Sequence, residues 1–277
     1  MTGLPVTEID GVPVSKIICG TNPFFGYSHF TRARDMWLRR YFTDSRIAKV
    51  LSKAFSLGIN TLISAPEPRL VPILSELRRK GVSMQWICTP GGGPIRGLEE
   101  GIRWCAENEV AICMPHQSYT DNNLVPARND LIGYRKISKM IREYGMVPGL
   151  STHRPETIVT MDKSGMDVQT YVLPFNSIGF LSYVEVEWVS QVFRRSRRPI
   201  VAIKPLAAGR ITPQVGLPFV VRGIKEEDPI AIGFCSPLEV EEDVEIVLSA
   251  MKGQPSELEL TTSRSKSVLE GQKDRHE

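Results

Sequence analysis

Nothing in this 277-residue chain approaches the roughly 20 consecutive apolar residues that a bilayer-crossing helix needs, so no membrane partner is expected. Cysteine is sparse and badly placed for pairing. Cys19, Cys88, Cys105, Cys113 and Cys235 are odd in number, widely spaced and free of any CxxC pair, which argues against a disulfide framework or a structural zinc site. Charge of one sign is also lacking, because a net +3 is too small to imply nucleic acid. Two basic clusters do occur, one at Arg194, Arg195, Arg197 and Arg198 and one at Arg78, Arg79 and Lys80. Both fall where a helix should end, and cations there offset the helix dipole, so they read as solvated ends. The opening MTGLPVTEIDG has no basic region followed by an apolar run, hence no signal peptide and a cytoplasmic location are expected. What remains, 42% hydrophobic and 23% charged, is the composition of a globular protein with a full core.

The chain alternates regularly. Thr7 to Val14, centred on Asp10-Gly11, carries the signal of a tight β-hairpin. Eight short apolar runs follow: Lys16–Gly20, Asn60–Ser64, Met84–Thr89, Val110–Pro115, Val147–Ser151, Gln169–Pro174, Ile200–Lys204 and Ile230–Phe234. Helix-compatible segments separate them, at Arg46–Leu57, Leu70–Lys80, Ile95–Glu107, Asn129–Tyr144, Pro155–Lys163, Tyr183–Arg194, Pro213–Gly223 and Pro237–Lys252. Runs that are apolar throughout suit strands buried on both faces, as in a parallel barrel. The expectation is therefore a (β/α)8 TIM barrel over residues 1–253 with the N-terminal hairpin plugging its floor. Residues 24–45 form a lid-like insert after the first strand, rich in aromatics and arginine. The polar tail, 254–277, is expected to be disordered.

Residues 199–252 point to an anion. A strand ends at Pro205-Leu206 with a glycine turn at Gly209, a second ends at Gly233, and Ser236-Pro237 opens an acidic amphipathic helix. The first amides of such a helix lack intrahelical partners and face a glycine-bearing strand end. The run Gly91-Gly92-Gly93 is either a second phosphate cradle or a flexible turn. Arg32, Arg34, Arg39 and Arg40 in the insert are candidates to clamp an anionic substrate.

Six segments recur together in the order and spacing of one known family: LGINT (57–61), GLSTH (149–153), PFNSIG (174–179), IKPLAAG (203–209), the GFCSPLEVEEDV helix start and the hairpin. On these the chain resembles the aldo-keto reductases over residues 5–252. That resemblance implies an NAD- or NADP-linked barrel with a catalytic aspartate, tyrosine, lysine and histidine at its mouth. Only the histidine has a counterpart, His116; Ile63 stands at the aspartate position, Pro90 at the lysine position, and no tyrosine follows Ser64-Ala65-Pro66-Glu67. Without the lysine, nothing nearby depresses a tyrosine from about 10, so ordinary carbonyl reduction is rejected. At the nicotinamide end Ser151 matches, but Thr152, Val172 and Ile203 replace the expected asparagine, glutamine and aromatic. The resemblance implies cofactor contacts at Leu206, Gly209, Ser236, Glu239 and Asp243, with Gly20, Ser151 and Asn176 completing the set. No basic partner for a 2′-phosphate is evident near Cys235-Ser236, which leaves NAD at least as well supported as NADP.

The residues themselves offer other chemistry. Of four histidines, His29, His116 and His153 follow strand ends or sit in the insert, and histidine suits acid–base work or metal ligation. His116 and His153 are candidate catalytic residues, and with Glu67 they form a candidate open shell for a divalent metal such as zinc. Against this, His153 before Arg154-Pro155 reads equally as a helix cap, and Glu67 as a solvated loop carboxylate. Cys88 is a thiolate candidate or a small buried hydrophobe. Lys204 ends the seventh barrel strand, where a desolvated lysine can form a Schiff base or simply pack. Three functions follow: a barrel binding a small anionic or nucleotide ligand at its mouth, a metal-assisted hydrolase or lyase, or a non-enzymatic nucleotide sensor.

Overall fold

The eight apolar runs become eight parallel strands, in a computed structural model that describes residues 3–95 and 97–256. A hairpin comes first, β1 (Val6–Ile9) against β2 (Val12–Ser15). Its turn residues Asp10 and Gly11 both have positive φ, 49° and 84°, the twist that joins two strands by a two-residue loop. Then come β3 (Ile17–Gly20), α1 (Arg32–Tyr41), α2 (Asp44–Ser56), β4 (Thr61–Ser64), α3 (Leu70–Arg79), β5 (Gln85–Cys88), α4 (Leu98–Glu107), β6 (Ile112–Cys113) and α5 (Gln117–Asn123). A short antiparallel ribbon, β7 (Leu124–Val125) with β8 (Asp130–Leu131), precedes α6 (Tyr134–Glu143). The chain continues through β9 (Val147–Ser151), α7 (Pro155–Ser164), β10 (Thr170–Pro174), α8 (Val186–Arg195), β11 (Ile200–Ile203), α9 (Pro213–Gly223), β12 (Ile230–Gly233) and α10 (Pro237–Met251). Strands β3, β4, β5, β6, β9, β10, β11 and β12 close in that order into a barrel.

Two cores explain why the runs are apolar throughout. Alternate residues of each strand face opposite sides. Ile18, Ile87, Ile112, Val172, Val201 and Ala231 fill the barrel interior, whereas Ile17, Cys19, Cys88, Cys113, Ile200 and Ala202 face the helices. Ile9 and Val14 of the hairpin join the interior cluster, so the hairpin plugs the floor as expected. Burying one such isoleucine is worth about 1.5–3 kcal/mol. The floor is also locked by polar bonds. Lys16 Nζ donates to the carbonyls of Lys225, Glu226 and Asp228 at 3.3, 2.9 and 2.7 Å. The buried Asp228 carboxylate accepts from the Ile200 and Lys225 amides and from Lys225 Nζ.

Several boundaries differ from expectation. The helix expected from Asn129 begins at Tyr134, because Asn129 and Gly133 are both left-handed and the ribbon β7–β8 intervenes. Helix α5 was not foreseen, since QSYTDNN has no apolar period. The insert is an ordered element with its own packing: Thr31 caps α1 by accepting from Arg34 N, and Phe24 packs on Phe42 with ring centroids 4.9 Å apart. Arg78, Arg79, Arg194 and Arg195 close the last turns of α3 and α8. Of the tail expected at 254–277, residues 257–277 lie outside the described residues. No helix among the described residues is long and apolar enough to cross a membrane.

Candidate ligand site at the barrel mouth

Lys204 directly follows β11 at the C-terminal end of the barrel and is half-buried. Its backbone is left-handed, φ 59°, as are those of Ala207 and Ala208 at 47° and 59°. An L-residue in that region costs about 1–2 kcal/mol, and such strain gathers at functional sites. Burial lowers the Lys204 ammonium from 10.5 to about 8. Its charge in turn reaches three imidazoles. His153 is lowered to about 4 by burial first, then by Lys204, His116 and His29. Burial and then Lys204 lower His116, and the same two causes lead for His29. The three histidines and Lys204 therefore share one neighbourhood.

The two inner histidines exchange the roles their sequence context suggests. His116 caps α5: its Nδ1 accepts from Ser118 N at 3.3 Å and sits 2.9 Å from Ser118 Oγ. An Nδ1 that accepts leaves the proton on Nε2 in the neutral ring. His153 caps nothing; Arg154 stands at the start of α7 without a side-chain cap. Instead, the buried part of Asp121 arranges the turn before α7. Its carboxylate accepts from Thr152 Oγ1 and from His153 N, the latter at 3.2 Å, and its carbonyl accepts from Arg154 Nη1. Burial raises the Asp121 carboxyl. Asp121 lies in the unforeseen α5, so no sequence period marked it.

The triglycine run lies against His116 rather than forming an open cradle. A Cβ on Gly92 would come 2.9 Å from His116 Cδ2 and 3.2 Å from its Nε2, so only glycine fits there without moving the ring. On the other side, a Cβ on Gly93 would lie 3.8 Å from Glu67 Oε1. Glu67 is only 6% exposed and accepts from Tyr27 Oη at 3.1 Å. It is a packed residue, contrary to a solvated loop carboxylate, and burial raises its carboxyl. Tyr27 belongs to the insert, which also holds Ser28 N and Oγ on Asp35. The insert reaches the opposite rim as well. Arg210 donates to the carbonyls of His29 and Ala207 and lies 5.0 and 4.5 Å from the ring centres of Phe30 and Phe180.

One expectation is corrected, and one open alternative is decided. Among the described residues no group of three or more His, Cys, Asp or Glu could hold a metal ion, so His116, His153 and Glu67 do not form a ligand shell. Glu67 is spent on Tyr27, and His116 Nδ1 on α5. Cys88 is fully buried on the helix side of β5, and burial raises its thiol well above the ordinary value. It is no thiolate at the mouth.

The start of α10 is self-capped. Ser236 Oγ accepts from Glu239 N at 3.2 Å, and the Glu239 carboxylate accepts from Cys235 N at 2.7 Å. This reciprocal arrangement occupies two of the amides that an external anion would use. Asp243 is buried behind it and raised to about 8 by burial, Glu239 and Glu242. Gly20 ends β3 opposite Gly233, where a Cβ would meet Ile232 O at 3.2 Å. Leu206 packs against the core, while Gly209 is exposed in the left-handed turn after β11. Ser151 is buried at the end of β9. Asn176 bonds Phe180 with both ends of its amide, and Thr152 Oγ1 is committed to Asp121 and Thr157.

No family model and no curated protein matches the chain. Solved structures do. A Pseudomonas aeruginosa protein assigned to the aldo-keto reductases superposes with a TM-score of 0.63 at 19% identity, covering 89% of this chain and 94% of its own. The holo form of the aldo-keto reductase AKR11C1 from Bacillus halodurans gives 0.61 at 12% identity, covering 99% and 96%. The fold is that of the aldo-keto reductases. A Gox0644 variant in complex with NADPH shares it at 12% identity, with a TM-score of 0.55 and coverage of 94% and 97%. In this barrel Ile63 sits in β4 and Pro90 just beyond β5.

Proposed function

We propose that the barrel mouth binds a small anionic molecule and does not perform the hydride-driven carbonyl reduction that its fold suggests. One observation carries this reading: Lys204 is half-buried among three imidazoles and forms no ion pair among the described residues. A desolvated cation without a counter-charge is stabilised by an anion, and the neutral histidines add donors. Arg210 supplies further positive charge at the rim. Reduction lacks its parts, since Ile63 and Pro90 carry no proton-transfer group and Ser151 has lost its carboxamide-gripping neighbours. Thermal unfolding with inorganic phosphate, pyruvate and NADH, for wild type and Lys204→Met, tests it. The small anions should raise the Tm of wild type and not of the variant; equal shifts in both proteins would refute the site.

A dinucleotide is the second reading, favoured by the NADPH-bound structure of the same fold. The Arg34 guanidinium reaches Cys235 at the start of α10, where no basic partner was evident from local sequence. A phosphate there would displace Glu239 from Cys235 N. NADH or NADPH that binds tightly without carbonyl turnover would mark a nucleotide sensor. Ser236→Glu should abolish nucleotide-induced stabilisation, and stabilisation unchanged in that variant refutes the placement.

A further inference from the structure

Two lysines are withdrawn from solvent at opposite ends of the barrel, and their surroundings differ in kind. Lys16 at the floor is 3% exposed and spends its ammonium on three carbonyls. Lys204 at the mouth has no hydrogen-bond acceptor or carboxylate for its Nζ among the described residues. Its backbone is held in the left-handed region by the turn that Ala207 N closes onto the Lys204 carbonyl at 3.0 Å. Two strands that pair with each other, but not with β11, bring imidazoles to the same mouth: His116 beyond β6, its ring held through Nδ1, and His153 beyond β9, its backbone held by Asp121. Arg210 ties the His29 carbonyl of the insert to the loop after β11.

We infer that Lys204 is a nucleophilic amine that captures a small anion-bearing carbonyl compound, a 2-oxo acid or a phosphorylated aldehyde or ketone, as a Schiff base. The inference rests on the anion-binding reading and names the substrate class for the same site. The free amine adds its lone pair to the carbonyl carbon while the carbonyl oxygen takes a proton. The resulting carbinolamine then loses that oxygen as water, leaving a C=N bond to Nζ; no oxidant or reductant is consumed. A neutral His153 suits taking the proton that the amine loses on addition and passing it to the oxygen, while the Nε2–H of His116 suits a hydrogen bond to that oxygen. An ordinary lysine is almost wholly protonated at neutral pH. Lowering it from 10.5 to about 8 enlarges the free-amine fraction about 300-fold. The carboxylate or phosphate of the substrate would supply the counter-charge that the mouth lacks.

Borohydride trapping tests the bond directly, because hydride reduces a C=N link to a stable secondary amine. The full-length protein is incubated with pyruvate, dihydroxyacetone phosphate or acetone, treated with borohydride, digested and mapped by mass spectrometry. One reduced adduct on the peptide containing Lys204 is expected with the two anionic carbonyls, at least tenfold above acetone. Mapping within wild type avoids dependence on a variant that fails to fold, and Lys204→Arg should then lose the adduct while retaining phosphate-induced thermal stabilisation. Labelling spread over surface lysines, or none at Lys204, overturns the inference. If phosphate still stabilises the protein in that case, the anion site stands and only the covalent chemistry falls. Absence of both adduct and stabilisation removes both readings.

Discussion

Lowering the pH from 7 to 5 should weaken the fold through His153, and the size of the loss follows from its surroundings. The ring titrates near 6.5 in an unfolded chain and near 4 in the barrel, because burial, Lys204 and the other two imidazoles all oppose its charge. Between those values the unfolded state binds the extra proton, so stability rises with pH across the window and falls on acidification. At pH 5 the unfolded chain holds nearly a full proton at this ring and the folded chain about a tenth of one, a difference worth about 2 kcal/mol. Screening at the partly exposed ring reduces this toward about 1 kcal/mol. Asp243 has the opposite sign, since its folded value near 8 makes the barrel more stable as pH falls. The assay is therefore a double difference: urea unfolding of wild type and His153→Gln at both pH values, in which Asp243 cancels. Wild type should lose at least about 1 kcal/mol more than the variant. A double difference below about 0.5 kcal/mol, or an NMR titration of His153 near 6.5, would refute the crowded cationic mouth.

Gly92→Ala places a methyl 2.9 Å from His116 Cδ2, so the ring must leave Ser118 or the loop must shift. A loss of about 1–3 kcal/mol in urea unfolding is expected, with a changed His116 chemical shift; an unaltered His116 signal would refute the packing. Lys16→Met leaves three carbonyls at the barrel floor without their donor and should cost about 3 kcal/mol or more, whereas a loss under about 1 kcal/mol would show the lock to be idle. Glu239→Gln removes one of the two charges that raise Asp243. The Asp243 carboxyl should then titrate lower by NMR, and an unmoved value would disprove the coupling.

Much of the barrel was legible because parallel strands buried on both faces need apolar residues at every position. IIC at 17–19 and IVAI at 200–203 show this directly. The hairpin was legible because its turn demands two positive φ angles, which Asp-Gly supplies. Short polar elements were not legible. Helix α5 has no apolar stripe, and with it went both the capping role of His116 and the existence of Asp121 as the brace of His153. Ser236 and Glu239 were found by position, but their spacing of three is also that of a cap, and the structure uses them so. The metal set failed for a reason sequence cannot carry: Tyr27, 40 residues away, takes the carboxylate of Glu67.

Arg210 has one guanidinium and several suitors. That group is engaged by the His29 and Ala207 carbonyls and flanked by Phe30 and Phe180. An anion that takes Arg210 must therefore compete with two carbonyls the rim already supplies, whereas one that reaches Lys204 displaces no partner among the described residues. Of the two cations, the inner one asks the lower toll.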